Sequence, residues 1–214
     1  MLKHLCAGQL VLDIGSYKGV YAYWMHKRVV PAGRVIAFEP QPDLAAYIER
    51  VKNAFRLNRL TVVNAALSSS VGTKELFQPV VNPRGEATLE KVPGEGKTLL
   101  VSTIVLDDYL DAAGARPVHF IKCDVEGHEL DVFRGGERML SEDRPKLLFE
   151  CQDYRHCEGQ TRRVFQFLER LGYEGYFFEG GKPSPVSQFR PDIHQTPGRM
   201  PPLHNFAFLP RRQV

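Results

Sequence analysis

The stretch Val11-Leu-Asp-Ile-Gly-Ser-Tyr-Lys-Gly19, VLDIGSYKG, decides how this chain folds. A short apolar run rich in branched residues, covering 10–14, ends in an acid and reads as a buried strand. Two glycines four residues apart follow, and from Lys18 to Arg28 the pattern turns helical. A strand, a glycine turn and a helix in that order form the first unit of an open α/β sheet, in which ligands bind beyond the carboxyl ends of the strands where strand order reverses.

The rest of the chain repeats the alternation. Strands are expected at 34–38 (RVIAF), 60–64 (LTVVN), 118–123 (VHFIKC) and 146–150 (KLLFE), and helices from Pro42 to about Leu57, at 107–113, 129–140 and 160–171. Residues 73–78 and 99–105 are β-like around a polar excursion at 79–98, and 180–202 reads as a loop or lid on the acceptor side. Tyr173 to Glu179 and Asn205 to Leu209, with no helix between them, predict an antiparallel hairpin at one edge. The expected fold is a single α/β domain over 1–214, a doubly wound, mostly parallel seven-stranded sheet with an antiparallel edge hairpin.

Composition bounds the function. A 43% hydrophobic chain of 214 residues can bury one core, and a net charge of +3 is too slight to imply nucleic acid or an anionic membrane surface. Cys6, Cys123, Cys151 and Cys157 form no C-x-x-C pair. His156 beside Cys157 and near Cys151 lacks a fourth ligand at a sensible spacing, so no metal is expected. The first fifteen residues resemble neither a signal segment nor a spanning helix, and a cytoplasmic protein with no membrane span is expected. Nothing in the sequence sets an oligomeric state.

The strand ends carry the chemistry. Asp13-x-Gly15-x-x-x-Gly19 departs from the dinucleotide fingerprint at its first glycine, where a carboxylate would repel a pyrophosphate and suit a cation or hydrogen-bond donors. Read alone, the motif also fits a glycine turn joining a strand to a helix. Glu39, about twenty residues beyond the turn, is placed to accept from both hydroxyls of a ribose. Together they point to an adenosine bearing positive charge, which describes S-adenosyl-L-methionine.

Ile121-Lys-Cys-Asp-Val-Glu-Gly-His-Glu-Leu-Asp-Val-Phe-Arg-Gly-Gly136 resembles the signature of the FkbM family of class I S-adenosylmethionine-dependent methyltransferases. FEP at 38–40, NAALSSSVG at 64–72 and LDDYL at 106–110 are similar to that family too, in the expected order. The resemblance implies methyl transfer to a hydroxyl of a small molecule, sugar or polyketide-like acceptor. On the cofactor side it implies Asp13, Gly15, Ser16 and Gly19 around the methionine moiety, Glu39 and Pro40 at the ribose, and Asn64 and Ala65 near the adenine. Asp124 would stand beside the sulfonium. Asp124, Glu126 and His128 are the candidate acid–base residues, each with a structural alternative as a helix cap or helix-start charge. A divalent metal between Asp124, Glu126 and Glu150 is conceivable, but salt-linked acids explain them more simply. Two other classes stay open: a non-catalytic S-adenosylmethionine-binding scaffold, and a nicotinamide-dependent oxidoreductase, which Asp13 disfavours.

Overall fold

The computed structural model describes residues 2–81, 85–90, 94–153, 159–196 and 203–211. His156, Cys157 and Arg199 lie outside the described residues. Strand β1 (Leu10–Ile14) is buried at all five positions, and its side chains alternate between two cores. Leu10, Leu12 and Ile14 face the larger one, while Val11 packs with Ala22, Met25 and Val29 of α1 (Val20–Val29). A strand covered on both faces needs apolar residues at every position, which is why LVL shows no alternation.

From β1 the chain runs outward through β2 (Arg34–Phe38), α2 (Pro42–Ala54) and β3 (Leu60–Val63), all parallel. It then returns to the other side of β1 as β7 (Val118–Cys123), followed by β8 (Lys146–Glu150). The strand order therefore reverses between β1 and β7, and the carboxyl ends of these two strands open one crevice.

Between β3 and β7 lies a second sheet of three strands. Its members are β4 (Ala66–Leu67), β5 (Gly72–Pro79) and β6 (Gly96–Ile104), with β5 and β6 paired antiparallel over their whole length. The polar excursion is thus mostly the far end of a hairpin, and residues 85–90 fold back from it. Helix α3 (Leu106–Ala112) follows.

The expected helix over 129–140 is two helices, α4 (Glu129–Gly135) and α5 (Glu137–Glu142). Gly135 packs so closely that a Cβ there would lie 2.3 Å from the Ser68 carbonyl oxygen. The new helix start is capped from outside. Asp107 of α3 accepts from the backbone N–H groups of Arg138 and Met139, both at 2.9 Å, satisfying donors that a helix N-terminus leaves open.

The main sheet has eight strands where seven were expected, in the order β10-β9-β11-β8-β7-β1-β2-β3. The added strand is β10 (Lys182–Pro185), an edge strand on β9 (Tyr173–Glu179), where its two prolines need no ladder hydrogen bond on the open side. The last strand, β11 (Asn205–Pro210), is not at the edge. It is inserted antiparallel between β8 and β9, with Phe206 and Phe208 fully buried against Phe149 and Phe165. Helix α6 (Gln160–Arg170) covers that cluster with Val164, Phe165, Phe167 and Leu168. Between β10 and β11, the short helix α7 (Pro191–His194) follows Phe189, whose ring packs on Phe165, Phe177 and Phe206. Val186, Phe189 and Gln195 anchor the segment 182–196 to the core, while most of its other side chains are exposed. Tyr21 and Trp24 are about half exposed on α1. Among the described residues no helix is long and apolar enough to cross a membrane.

Candidate active site

The turn after β1 is bent toward β2 by its own backbone. The N–H groups of Gly15 and Ser16 both donate to the Phe38 carbonyl at 3.0 Å, and Ser16 Oγ donates to the Asp13 carbonyl at 2.8 Å. Gly15 has φ +70°, and a Cβ there would stand 1.8 Å from the Asp124 carbonyl oxygen. Its freedom is spent on the meeting of two backbones.

Glu39, just past β2, is 3% exposed and holds the turn from the other side. Its Oε2 accepts from Tyr17 N at 2.7 Å and its Oε1 from Gln41 N at 3.0 Å. Burial pushes its pKa up to about 7 against those stabilising donors. Asn64 Nδ2 donates to the Glu39 and Pro40 carbonyls at 2.9 and 3.0 Å.

These groups bound a cavity of about 220 Å³ whose walls include Gly15, Glu39, Pro40, Ala65, Asp124, Glu126 and His128, with an apolar side from Leu67, Leu76 and Leu89. Ser16, Gly19 and Asn64 do not line it. Ser16 and Asn64 hold its walls in place, and Gly19 packs against Ile48 of α2. The apolar side was missed by sequence reasoning because Leu76 and Leu89 come from the second sheet and the fold-back.

Asp13 does not line the cavity either, which corrects the reading of its charge. It is wholly buried, and neither carboxylate oxygen has a hydrogen bond of ordinary geometry. The sheet register pairs Asp13 with Lys122 on β7, and Lys122 Nζ lies 3.6 Å from Asp13 Oδ1. The cation facing Asp13 is the protein's own. Lys122 Nζ also donates to the Gly15 carbonyl at 2.8 Å and lies 3.7 Å from Asp124 Oδ2. Burial opposes its charge, yet Asp13 and Asp124 hold its pKa above the usual lysine value. Burial raises both aspartates, and Lys122 pulls both back. The sequence did carry a signal for Lys122: a lone cation amid Phe120, Ile121 and Cys123.

Beyond Asp124 three acids meet. Carboxylate oxygens of Asp124, Glu126 and Glu150 lie within 4.8 Å of one another. Burial, and then the charges of Asp124 and Glu126, push the Glu150 pKa up to about 8. Gln152 Nε2 donates to Glu150 Oε1 at 2.7 Å, and His204 Nε2 lies 3.4 Å from that oxygen. Such a set can converge on a cation or share a proton, and with the Lys122 ammonium alongside and Glu150 so basic, the proton is the simpler counter-charge. A small cavity of about 30 Å³, lined by Tyr21, Lys122, Asp124, Glu150 and Asn205 together with Leu148 and Phe149, opens on this side.

The run from Asp124 to Glu129 is held from several directions. Glu126 has φ +51°, and its carbonyl accepts from Thr88 Oγ1 at 2.5 Å. Gln160 Nε2 donates to the Gly127 carbonyl at 2.7 Å, and the buried Glu129 Oε1 accepts from Gly127 N at 2.9 Å. His128 is committed at both nitrogens. Nδ1 lies 2.6 Å from Glu90 Oε1 and Nε2 lies 3.0 Å from Ser68 Oγ. A carboxylate only accepts, so Nδ1 carries a proton, while Nε2 accepts from the serine hydroxyl in the neutral ring and donates to it in the imidazolium. Both ring nitrogens are thus engaged within the protein.

Several of these carboxyls share one pH signature. The pKa of Glu39 is raised to about 7, as is that of Glu129, and that of Glu150 to about 8. Below about pH 4.5 these groups are protonated in both folded and unfolded chains; above it the unfolded chain releases protons that the folded one retains, so stability falls as pH rises toward 8. The ligand-free protein is expected to melt higher at pH 5 than at pH 8 by calorimetry, and equal melting temperatures would contradict the assignment.

Comparison with known proteins places the chain in a family. Over residues 13–174 the chain matches the family model of the methyltransferase FkbM domain. It is 32% identical over 136 residues to the hexuronic acid methyltransferase AglP of Haloferax volcanii, covering 63% of this chain and 53% of that one. It is 29% identical over 189 residues to the 2-O-methyltransferase NoeI of Sinorhizobium fredii, covering 80% and 75%. The crystal structure of an FkbM methyltransferase from Methylobacillus flagellatus superposes with a TM-score of 0.60 at 18% identity, covering 95% of this chain and 43% of that one. The chain thus spans about half the length of AglP and less than half that of the solved structure. With the strand-end cavity, the class I methyltransferase fold and a match over most of its length, the chain belongs to the FkbM family of S-adenosylmethionine-dependent methyltransferases.

Proposed function

We propose that the chain holds S-adenosylmethionine in the strand-end cavity and transfers its methyl group to a hydroxyl oxygen of a small molecule, sugar or polyketide-like acceptor. One observation carries this: Asp124 lines both the larger cavity and the small one beside Glu150. Glu39 faces the first cavity with a basic carboxylate for the ribose hydroxyls, and Leu67, Leu76 and Leu89 offer an apolar slot to the adenine. The sulfonium then falls near Asp124, with the acceptor on the far side.

Methyl transfer is an in-line displacement. The acceptor oxygen forms a bond to the methyl carbon, the carbon–sulfur bond breaks, and S-adenosylhomocysteine leaves neutral. Orientation supplies about 7–11 kcal/mol of barrier reduction in such steps, and a positioned base adds about a hundred- to ten-thousandfold. Both ring nitrogens of His128 are engaged by Glu90 and Ser68, so Asp124 is the proposed proton acceptor, with Glu150 and Glu126 close enough to receive the proton from it.

The acidic cluster disfavours a nucleic acid, whose phosphates it would repel. A sugar hydroxyl fits it, and hexuronic acid and 2-O in the relatives' names support that class. A cytoplasmic setting is proposed with it, supported by free thiols at Cys6, Cys123 and Cys151. The test is calorimetric binding of S-adenosylmethionine followed by transfer of labelled methyl to a panel of hydroxylated acceptors. Glu39→Gln, which removes the charge and keeps the shape, is expected to weaken cofactor binding about tenfold, the worth of one charge-assisted hydrogen bond. Undiminished affinity in the folded variant would refute the ribose assignment.

A further inference from the structure

The small cavity beyond Asp124 is sized for oxygen atoms, not for a ring. Its volume is about 30 Å³, and a cavity needs about 10–15 Å³ to admit one water, so it takes one or two hydroxyl groups. Its walls offer both halves of a hydrogen-bond pair. Asp124 is the acceptor, and it also lines the larger cavity where the methyl donor is placed. Lys122 is the donor, buried at 6% exposure and carrying three N–H groups. Among the described residues it makes one hydrogen bond of ordinary length, to the Gly15 carbonyl at 2.8 Å. Asp13 and Asp124 stand 3.6 and 3.7 Å from Nζ, which suits an ion pair and is long for a hydrogen bond. The ammonium therefore keeps donor capacity to spare beside a space that fits an oxygen. Tyr21, Leu148 and Phe149 give the same space an apolar side for a carbon skeleton.

We propose that this cavity is the acceptor subsite and that it selects a vicinal diol: the reacting hydroxyl meets Asp124, and the oxygen on the neighbouring carbon accepts from the Lys122 ammonium. The proposal rests on the methyltransferase reading above and narrows its acceptor to carbohydrate-like hydroxyls. An isolated hydroxyl on an aliphatic chain would cover the buried ammonium without meeting it, which costs binding. In the transfer step the reacting oxygen bonds to the methyl carbon as the carbon–sulfur bond breaks, and its proton passes to Asp124. Lys122 keeps its protons. By fixing the neighbouring oxygen it sets the angle at which the reacting one faces the methyl group. A carboxylate in the neighbouring position is disfavoured, because the single ammonium is already shared with Asp13 and Asp124, and Glu126 and Glu150 stand close to Asp124.

The probes are trans-cyclohexane-1,2-diol and cyclohexane-1,4-diol, which carry the same number of hydroxyls on the same ring. Offered together to the protein with labelled S-adenosylmethionine, they give monomethyl ethers in the ratio of their kcat/KM values, whatever fraction of the protein is folded. The 1,2-diol is expected to win about tenfold or more, the worth of one hydrogen bond to a charged group. Lys122→Met, alone or paired with Asp13→Leu to recover stability, is expected to bring the ratio close to one. Saturation-transfer NMR on the S-adenosylhomocysteine complex reads binding without turnover, and there the 1,2-diol is expected to show contact and the 1,4-diol far less. Equal treatment of the two diols in both measurements overturns the subsite, and a preference that survives loss of the lysine overturns the role of the ammonium. Neither result touches the cofactor reading, which falls separately if the protein does not bind S-adenosylhomocysteine by calorimetry.

Discussion

Lys122→Met is expected to destabilise the protein by about 3–5 kcal/mol, the usual consequence of removing one partner from a buried ion pair. Methionine fits the channel left by the lysine stem, so packing changes little and the loss is electrostatic. Asp13 would keep no hydrogen bond of ordinary geometry and no opposite charge, and Asp124 and the Gly15 carbonyl would lose the same ammonium. Asp13 can escape by taking up a proton, since burial already raises its pKa and Lys122 is what restrains it. With the folded pKa pushed further up, the variant's deficit should be smaller at pH 5 and grow as pH rises toward 8. Pairing the change with Asp13→Leu should recover part of the loss, because replacing both members of a buried pair by apolar groups is often near neutral. Urea unfolding of the single and double variants at the two pH values decides the matter. A deficit that does not depend on pH would show that Lys122 acts by packing alone.

That buried pair marks the boundary of what the sequence shows. Strand ends and their residues are local properties, so Asp13, Glu39 and Asp124 could be set at the carboxyl ends of β1, β2 and β7 from periodicity and turn chemistry. Which way each side chain points depends on register, and the pairing of Asp13 with Lys122 joins residues more than a hundred positions apart. A charge argument made on Asp13 alone therefore assigned it to a ligand, when its counter-charge lay on the neighbouring strand.

The same limit explains the other differences. β11 carries NFAFL, an alternating strand that sequence can recognise, but its place between β8 and β9 is set by how Phe206 and Phe208 fit the aromatic cluster under α6. The segment at 85–90 is polar with few apolar residues, so nothing local announces that it turns back. Its contacts include Phe77, Glu126 and His128, and Ala87 and Leu89 pack against the cluster of Ala66, Leu76 and Val101. The partners of His128 were equally out of reach, since Ser68 and Glu90 meet its ring from 60 and 38 positions away.

Gly15→Ala is expected to destabilise the protein by about 2–5 kcal/mol, lowering the melting temperature by about 10 °C for a chain of this size. Two costs add. A left-handed backbone is about 1–2 kcal/mol worse for alanine than for glycine, and forcing a methyl into filled space costs about 1–3 kcal/mol more. The second cost dominates, because the methyl would stand 1.8 Å from the Asp124 carbonyl oxygen, where a backbone group has no rotamer by which to retreat. Gly8 separates the two. It too has positive φ, +89°, but nothing lies within 4 Å of where its Cβ would be, so Gly8→Ala should show the backbone cost alone. The difference between the two variants measures how tightly the ends of β1 and β7 are pressed together. If that pressing sets the cavity, Gly15→Ala should also weaken S-adenosylhomocysteine binding below its melting temperature, since Asp124 can yield only by moving away from Lys122 and the wall it shares with Glu39. Equal losses in the two glycine variants would mean that the strand ends part freely and that the glycine serves the turn alone.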